Sequence, residues 1–316
     1  MTPYRTPHQL AVENVGVLRT QWAGVRDGDG ESVHQARIAT RRLRAVLAVT
    51  DGADSDRVKL CKRLGRALGA VREADMTHEV FDTLAKRLPS AAGAIGSILP
   101  LVADEQRRTR RRLVKTLDKV KLRPIATLRD SPSPMTLAFW KDWRAAVASE
   151  VASRRHALAD ALDRASAVFM PNRLHRVRIV TKKLRYALEI ADATGLWVDK
   201  SDALRDLRKT QEVLGRLHDV YVARRLIDRL DTDGRTMASE VQILDAAMGA
   251  DCIYLHDKYL SRRDRLRSIC DNGATVTGAR LVWPVRVAMR VLPVAGSVAL
   301  PVAVWRLAAA HERPTA

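Results

Sequence analysis

Apolar residues recur at three- and four-residue intervals along nearly the whole 316-residue chain, the spacing of helices that each bury one face. No stretch alternates apolar and polar residues for long enough to form a strand. The pattern predicts helices over residues 8–27, 32–50, 56–87, 91–122, 135–167, 171–193, 200–231 and 235–270, with a break near Asp75 as an option in the third. Punctuation falls between them, at Asp27-Gly28-Asp29-Gly30, Asp51-Gly52, Pro89-Ser90, the Pro-rich stretch 129–134, Pro171-Asn172, Gly195 and Asp233-Gly234. The expected fold class is all-α.

The chain also resembles itself. Val33-His34-Gln35-Ala36-Arg37-Ile38-Ala39-Thr40-Arg41-Arg42-Leu43-Arg44 aligns with Leu174-His175-Arg176-Val177-Arg178-Ile179-Val180-Thr181-Lys182-Lys183-Leu184-Arg185, and each basic position of the first copy is basic in the second. Downstream, Leu68-Gly69-Ala70-Val71-Arg72-Glu73 resembles Leu214-Gly215-Arg216-Leu217-His218-Asp219. Two features in the same order at similar separation predict an internal duplication. The expectation is two four-helix repeats, residues 1–134 with the linker and 135–275, followed by a tail at 276–316 without a counterpart.

Placing the first motif on a helix, with His34 as origin and a turn of about 100° per residue, puts Arg37, Arg41 and Arg44 within a stripe about 80° wide. Ala36, Ala39, Leu43, Val46 and Leu47 fall on a separate apolar face. The second copy repeats the division, with His175, Arg178, Lys182 and Arg185 in the stripe and Val177, Val180, Leu184, Ala187 and Leu188 facing inward. Arg42 and Lys183 lie off the stripe, within reach of a wide ligand. Arg63 and Lys209, equivalent positions in the third helix of each repeat, are candidates for the wall of the same groove. Gly69 and Gly215 are expected to let helices approach closely, and His218, in line with Leu207, Leu214 and Leu217, to be a hydrogen-bonded core histidine rather than a ligand.

Aligned like charges repel on a helix surface, and neither 33–50 nor 173–188 contains an acidic residue to relieve them. A linear anion laid along the stripe would. Arg supplies forked donors matched to phosphate oxygens, Lys a mobile point charge, and His a donor whose charge responds to pH. Composition points the same way: 55 Lys and Arg against 36 Asp and Glu leave a formal charge of +19, which favours an anionic partner. The basic run from Arg107 to Arg123 reads first as a solvated face.

Enzymatic function finds little support. The chain has no P-loop, HExxH or G-x-S-x-G motif, and His218-Asp219 with His256-Asp257 are too few donors for a metal phosphohydrolase. No small-molecule cofactor is expected. Nucleic acid is the second choice of partner, but single-strand binders add aromatic stacking platforms, and aromatics make up only 4% here. Three scattered cysteines suit a reducing compartment, and the amino terminus lacks a secretory apolar core, so a cytoplasmic location is expected. Val291–Trp305 is 15 uncharged residues interrupted by Pro293 and Pro301, short of a span. That leaves peripheral membrane contact through 276–316 as one option and a packed or loose tail as the other.

The pattern H-x-x-R-x-x-x-R-R-L-R, followed by the L-G-x-x-R-D-like element, resembles the CHAD (conserved histidine α-helical) domain across residues 8–270. The resemblance implies two four-helix bundles related by pseudo-twofold symmetry, with a basic central channel that binds inorganic polyphosphate; what such binding achieves stays open between association with polyphosphate granules, enzyme regulation and phosphate sensing. It carries a binding role onto His34, Arg37, Arg41, Arg42, Arg44, His175, Arg178, Lys182, Lys183 and Arg185. The chain departs from the family pattern at Glu73, where Asp is usual, at His218, opposite Arg72 of the first copy, and at Tyr221, opposite Asp75.

Overall fold

Three of the long helices of the first half begin on a side chain that satisfies otherwise orphaned amide groups. Thr6 accepts from the Gln9 amide at 3.0 Å while Gln9 Oε1 accepts from the Thr6 amide, a capping box that opens α1 (Pro7–Thr20). A short α2 (Trp22–Asp27) follows and ends on Gly28, whose φ of 81° is reached without strain only by glycine. Asp29 then caps α3 (Gly30–Thr50), its carboxylate accepting from the Ser32 amide at 2.8 Å. Ser55 caps α4 (Asp56–Arg87).

The computed structural model describes residues 4–129, 137–165, 168–197, 202–227 and 235–271. Its remaining long helices are α5 (Ala92–Lys119), α7 (Leu137–Arg164), α8 (Pro171–Ala193), α9 (Ala203–Arg224) and α10 (Arg235–Asp271), with a one-turn α6 (Arg123–Ala126) in the predicted linker. No strand occurs among the described residues. The all-α expectation holds. The first predicted helix divides at Gln21, and α4 runs unbroken through Asp75, whose carboxylate accepts from Gln106 and Arg110 of α5 and so ties the two helices together. The expected tail, 276–316, lies outside the described residues.

Neighbours in sequence are neighbours in space. Helices α1, α3, α4 and α5 pack in that order, as do α7, α8, α9 and α10. Further contacts join the halves, α3 to α7 and α8, α4 to α9, and α5 to α10. One apolar core therefore runs through both halves, including Leu43, Leu64, Val177, Leu184 and Leu207, each essentially inaccessible. A second cluster around Phe81, Ile98, Leu244 and Met248 closes the far ends of α4, α5, α9 and α10. The predicted inner faces of α3 and α8 are all buried. Burial of that face fixes the roll of each helix, and with it the direction of the cationic stripe.

Candidate functional site

With Ala36, Ala39 and Leu43 inward on α3, and Val177, Val180 and Leu184 inward on α8, His34, Arg37, Arg41, His175, Arg178 and Lys182 are left half-buried between the helices. The two stripes face each other. Positive charge on Arg41 and Arg37 acts on Lys182, and that on Arg41 also acts on Arg178. Burial together with Arg41, Arg178, Arg37 and Arg185 holds the Lys182 ammonium down at about 6. Arg37 is lowered to about 10, first by burial and then by Arg41. Its buried Nε has no hydrogen-bond partner, and the guanidinium lies over Gly69, where an added Cβ would come within 3.9 Å of that Nε. An added Cβ at Gly69 would thus meet only an ordinary van der Waals contact, and at Gly215 open space, so neither glycine marks the close helix approach expected there.

Acidic groups gather at the two ends of this cluster. At the histidine end, His175 and His218 bring their Nδ1 atoms to 3.3 Å, with ring centroids 4.6 Å apart. His218 is hydrogen-bonded as expected, but half-buried rather than in the core: α9 turns it toward α8 and into the polar cluster. Burial, Arg178, His175 and Lys182 depress His218 to about 4, and burial also lowers His34 and His175. All three rings are neutral donors or acceptors at neutral pH. Asp219, its carboxyl raised by burial, favours the charged form of Arg178 in return. Arg72 of α4 acts on His34, Arg37 and Asp219. The sequence marks Arg72 and Asp219 only as members of the repeated L-G-x-x-R-D-like element; the contact of α4 with α9 is what brings them to the stripes.

At the opposite end, Glu189 of α8 collects three cations. Arg185 lies 2.9 Å away, one helical turn before it, Arg208 of α9 at 3.5 Å and Arg42 of α3 at 3.7 Å. Arg42 and Arg185 are thus partly neutralised. The acid-free window 173–188 stops one residue short of Glu189, whose i,i+4 spacing from Arg185 was the available signal. Arg37, Arg41, Arg44, Lys182 and Lys183 have no ion pair of this kind among the described residues. Arg63 and Lys209 are exposed on α4 and α9.

A cavity of about 330 Å³ opens beside the free cations, between α3, the start of α4, α7 and α8. Arg41, Arg44, Lys62, Arg154 and Lys183 line it, with Glu150 held by Arg154 at 2.8 Å and Ala48 and Tyr186 forming apolar wall. Burial lowers Arg44 and Lys183, and the other nearby cations lower them further. Tyr186 is buried and its ring is covered by the Arg185 guanidinium at 4.7 Å. Burial and this cover leave a nucleobase little of the ring on which to stack.

The remaining candidates lie apart from this cleft. The basic residues from Arg107 to Arg123 are exposed, several paired with local acids, as a solvated face would be. His256 is a core residue against Phe169 and Tyr259, while Asp257 is exposed. Among the described residues no three His, Cys, Asp or Glu side chains converge as a metal site, and no described helix is long and apolar enough to cross a membrane.

The family model described as the CHAD domain matches residues 9–228, a span containing both histidine-led stripes. The chain belongs to the CHAD domain family. Two solved structures share the CHAD fold of this chain. The crystal structure of the CHAD domain from the plant Ricinus communis is 23% identical, covers 81% of this chain and 90% of its own, and superposes with a TM-score of 0.59. PptA from Streptomyces chartreusis is 17% identical, covers 82% of this chain and 96% of its own, with the same TM-score. Comparison with curated protein sequences gives no match.

Proposed function

We propose that this CHAD domain binds inorganic polyphosphate, without changing it chemically, in the cleft between α3 and α8. The observation that carries the reading is the convergence of Arg37, Arg41, Arg178 and Lys182 at half-buried positions, where like charges face one another. Desolvating cations beside cations is unfavourable unless an anion completes the arrangement. A polyphosphate chain offers a negative oxygen at each repeat and no bulky substituent. The cleft suits it in offering forked Arg donors, a proton-accepting Lys and three neutral His rings. Fold class alone would not support this choice; the cation geometry does. The covered ring of Tyr186 favours a ligand without bases over RNA.

The test is binding of long-chain polyphosphate, RNA and anionic vesicles at one fixed salt concentration, since phosphate contacts of every kind weaken with salt. Polyphosphate is expected to bind tightest. The double substitution Arg37→Glu and Arg178→Glu is expected to weaken it by at least about 100-fold, two charge-assisted contacts being replaced by repulsion, with helicity by circular dichroism unchanged. Retained affinity in a folded double variant refutes the site, and tighter RNA binding by the native chain refutes the ligand.

A further inference from the structure

The two halves of the cleft differ by one carboxylate. In the self-alignment, Arg42 of α3 corresponds to Lys183 of α8, Arg185 to Arg44, and Arg208 of α9 to Lys62 of α4, the last at the register that pairs Lys209 with Arg63. Arg42, Arg185 and Arg208 are the three cations gathered on Glu189. Their counterparts Lys183, Arg44 and Lys62 are three of the cations lining the 330 Å³ cavity. The residue aligned with Glu189 is Ala48, and it lines the same cavity. One cation cluster holds a carboxylate at this position; the other has space there, its nearest carboxylate being Glu150 of α7, which acts on Lys183 but is paired with Arg154.

We infer that Glu189 is an internal anion that plugs one of two equivalent cation clusters, and that the cavity around Arg44, Lys62 and Lys183 is its open equivalent, a subsite for a phosphate unit. The inference rests on the polyphosphate reading and makes the two equivalent cation clusters unequal as ligand sites. A phosphate unit is accepted at the Ala48 cluster and excluded from the Glu189 cluster. Arg154 and Lys62, outside the histidine-led motifs, become ligand contacts. Lys62 donates to the Ala53 carbonyl at 3.3 Å, a contact weak enough to exchange for a phosphate oxygen. Glu150 does not close the cavity, because Arg154 already holds it.

The geometry offers a reciprocal experiment, with inorganic tripolyphosphate as the probe in calorimetric titration. Ala48→Glu supplies the missing carboxylate and is expected to weaken tripolyphosphate by at least about tenfold. Glu189→Ala removes the plug and is expected to add a second tripolyphosphate site. Lys62→Glu, an exposed charge reversal that leaves the core untouched, is expected to act in the same direction as Ala48→Glu and carries the test if that variant folds poorly. Unchanged tripolyphosphate affinity in folded Ala48→Glu or Lys62→Glu protein overturns the subsite, as does unaltered stoichiometry in Glu189→Ala. Long-chain polyphosphate, run in parallel, separates the two failures. Native protein that does not bind it refutes the polyphosphate reading, whereas native binding with unresponsive variants refutes only the plug and subsite.

Discussion

Replacing Lys182 with Met should make the protein more stable, and by an amount that depends on pH. Met matches the length of the lysine stem and removes the amine. In the folded chain that amine is held at about 6 against an ordinary 10.5, by burial first and then by Arg41, Arg178, Arg37 and Arg185. A base whose folded value lies below its unfolded one binds fewer protons when folded, so its penalty grows as pH falls. The penalty is negligible near pH 10.5, increases down to about 6, and is constant below that. The full interval corresponds to a ceiling of ~6 kcal/mol. Side-chain relaxation and water entry reduce such ceilings severalfold in proteins, so a gain of ~1–3 kcal/mol at pH 6 is expected. At about 2–4 °C per kcal/mol, this is a rise of several degrees in the melting temperature. Thermal unfolding of both proteins from pH 5.5 to 9.5, followed by circular dichroism, measures it. The difference should be largest at the acid end and shrink as pH rises. A gain that is absent, or the same at every pH, refutes the electrostatic account of the cleft.

Other consequences follow from the same geometry. Polyphosphate should recharge Lys182, so binding at pH 8 should take up about one proton, because the free amine is almost wholly neutral there; titrations in buffers of different ionisation enthalpy detect this. Affinity should then weaken as pH rises above about 6, and Lys182→Met should lose the proton uptake. A flat profile from pH 6 to 9 would remove lysine titration from the mechanism. Leu43→Ala and Leu184→Ala, each deleting a side chain that is 0% exposed behind a stripe, should each cost ~2–5 kcal/mol in denaturant unfolding. Losses below about 1 kcal/mol would contradict a core shared by α3 and α8.

Much of the molecule is a local property of the chain. The three- and four-residue spacing marked α3, α4, α8 and α10 to within a few residues, because amphipathic periodicity and caps such as Asp29 and Ser55 act over a turn or two of helix. Local geometry also separated the face of Leu43 and Leu184 from the row of Arg37, Arg41, Arg178 and Lys182, since 100° per residue holds whatever the helix packs against. Tertiary structure alone decided which charges share a neighbourhood. Arg42 and Arg208 reach Glu189 from two other helices, His218 turns to His175, Arg72 and Asp219 close in from α4 and α9, and Lys62 and Arg154 complete a cavity beside Ala48. Those pairings join residues tens to more than a hundred positions apart. Coulomb energy depends on their separation in space and on the dielectric between them, and helix packing sets both.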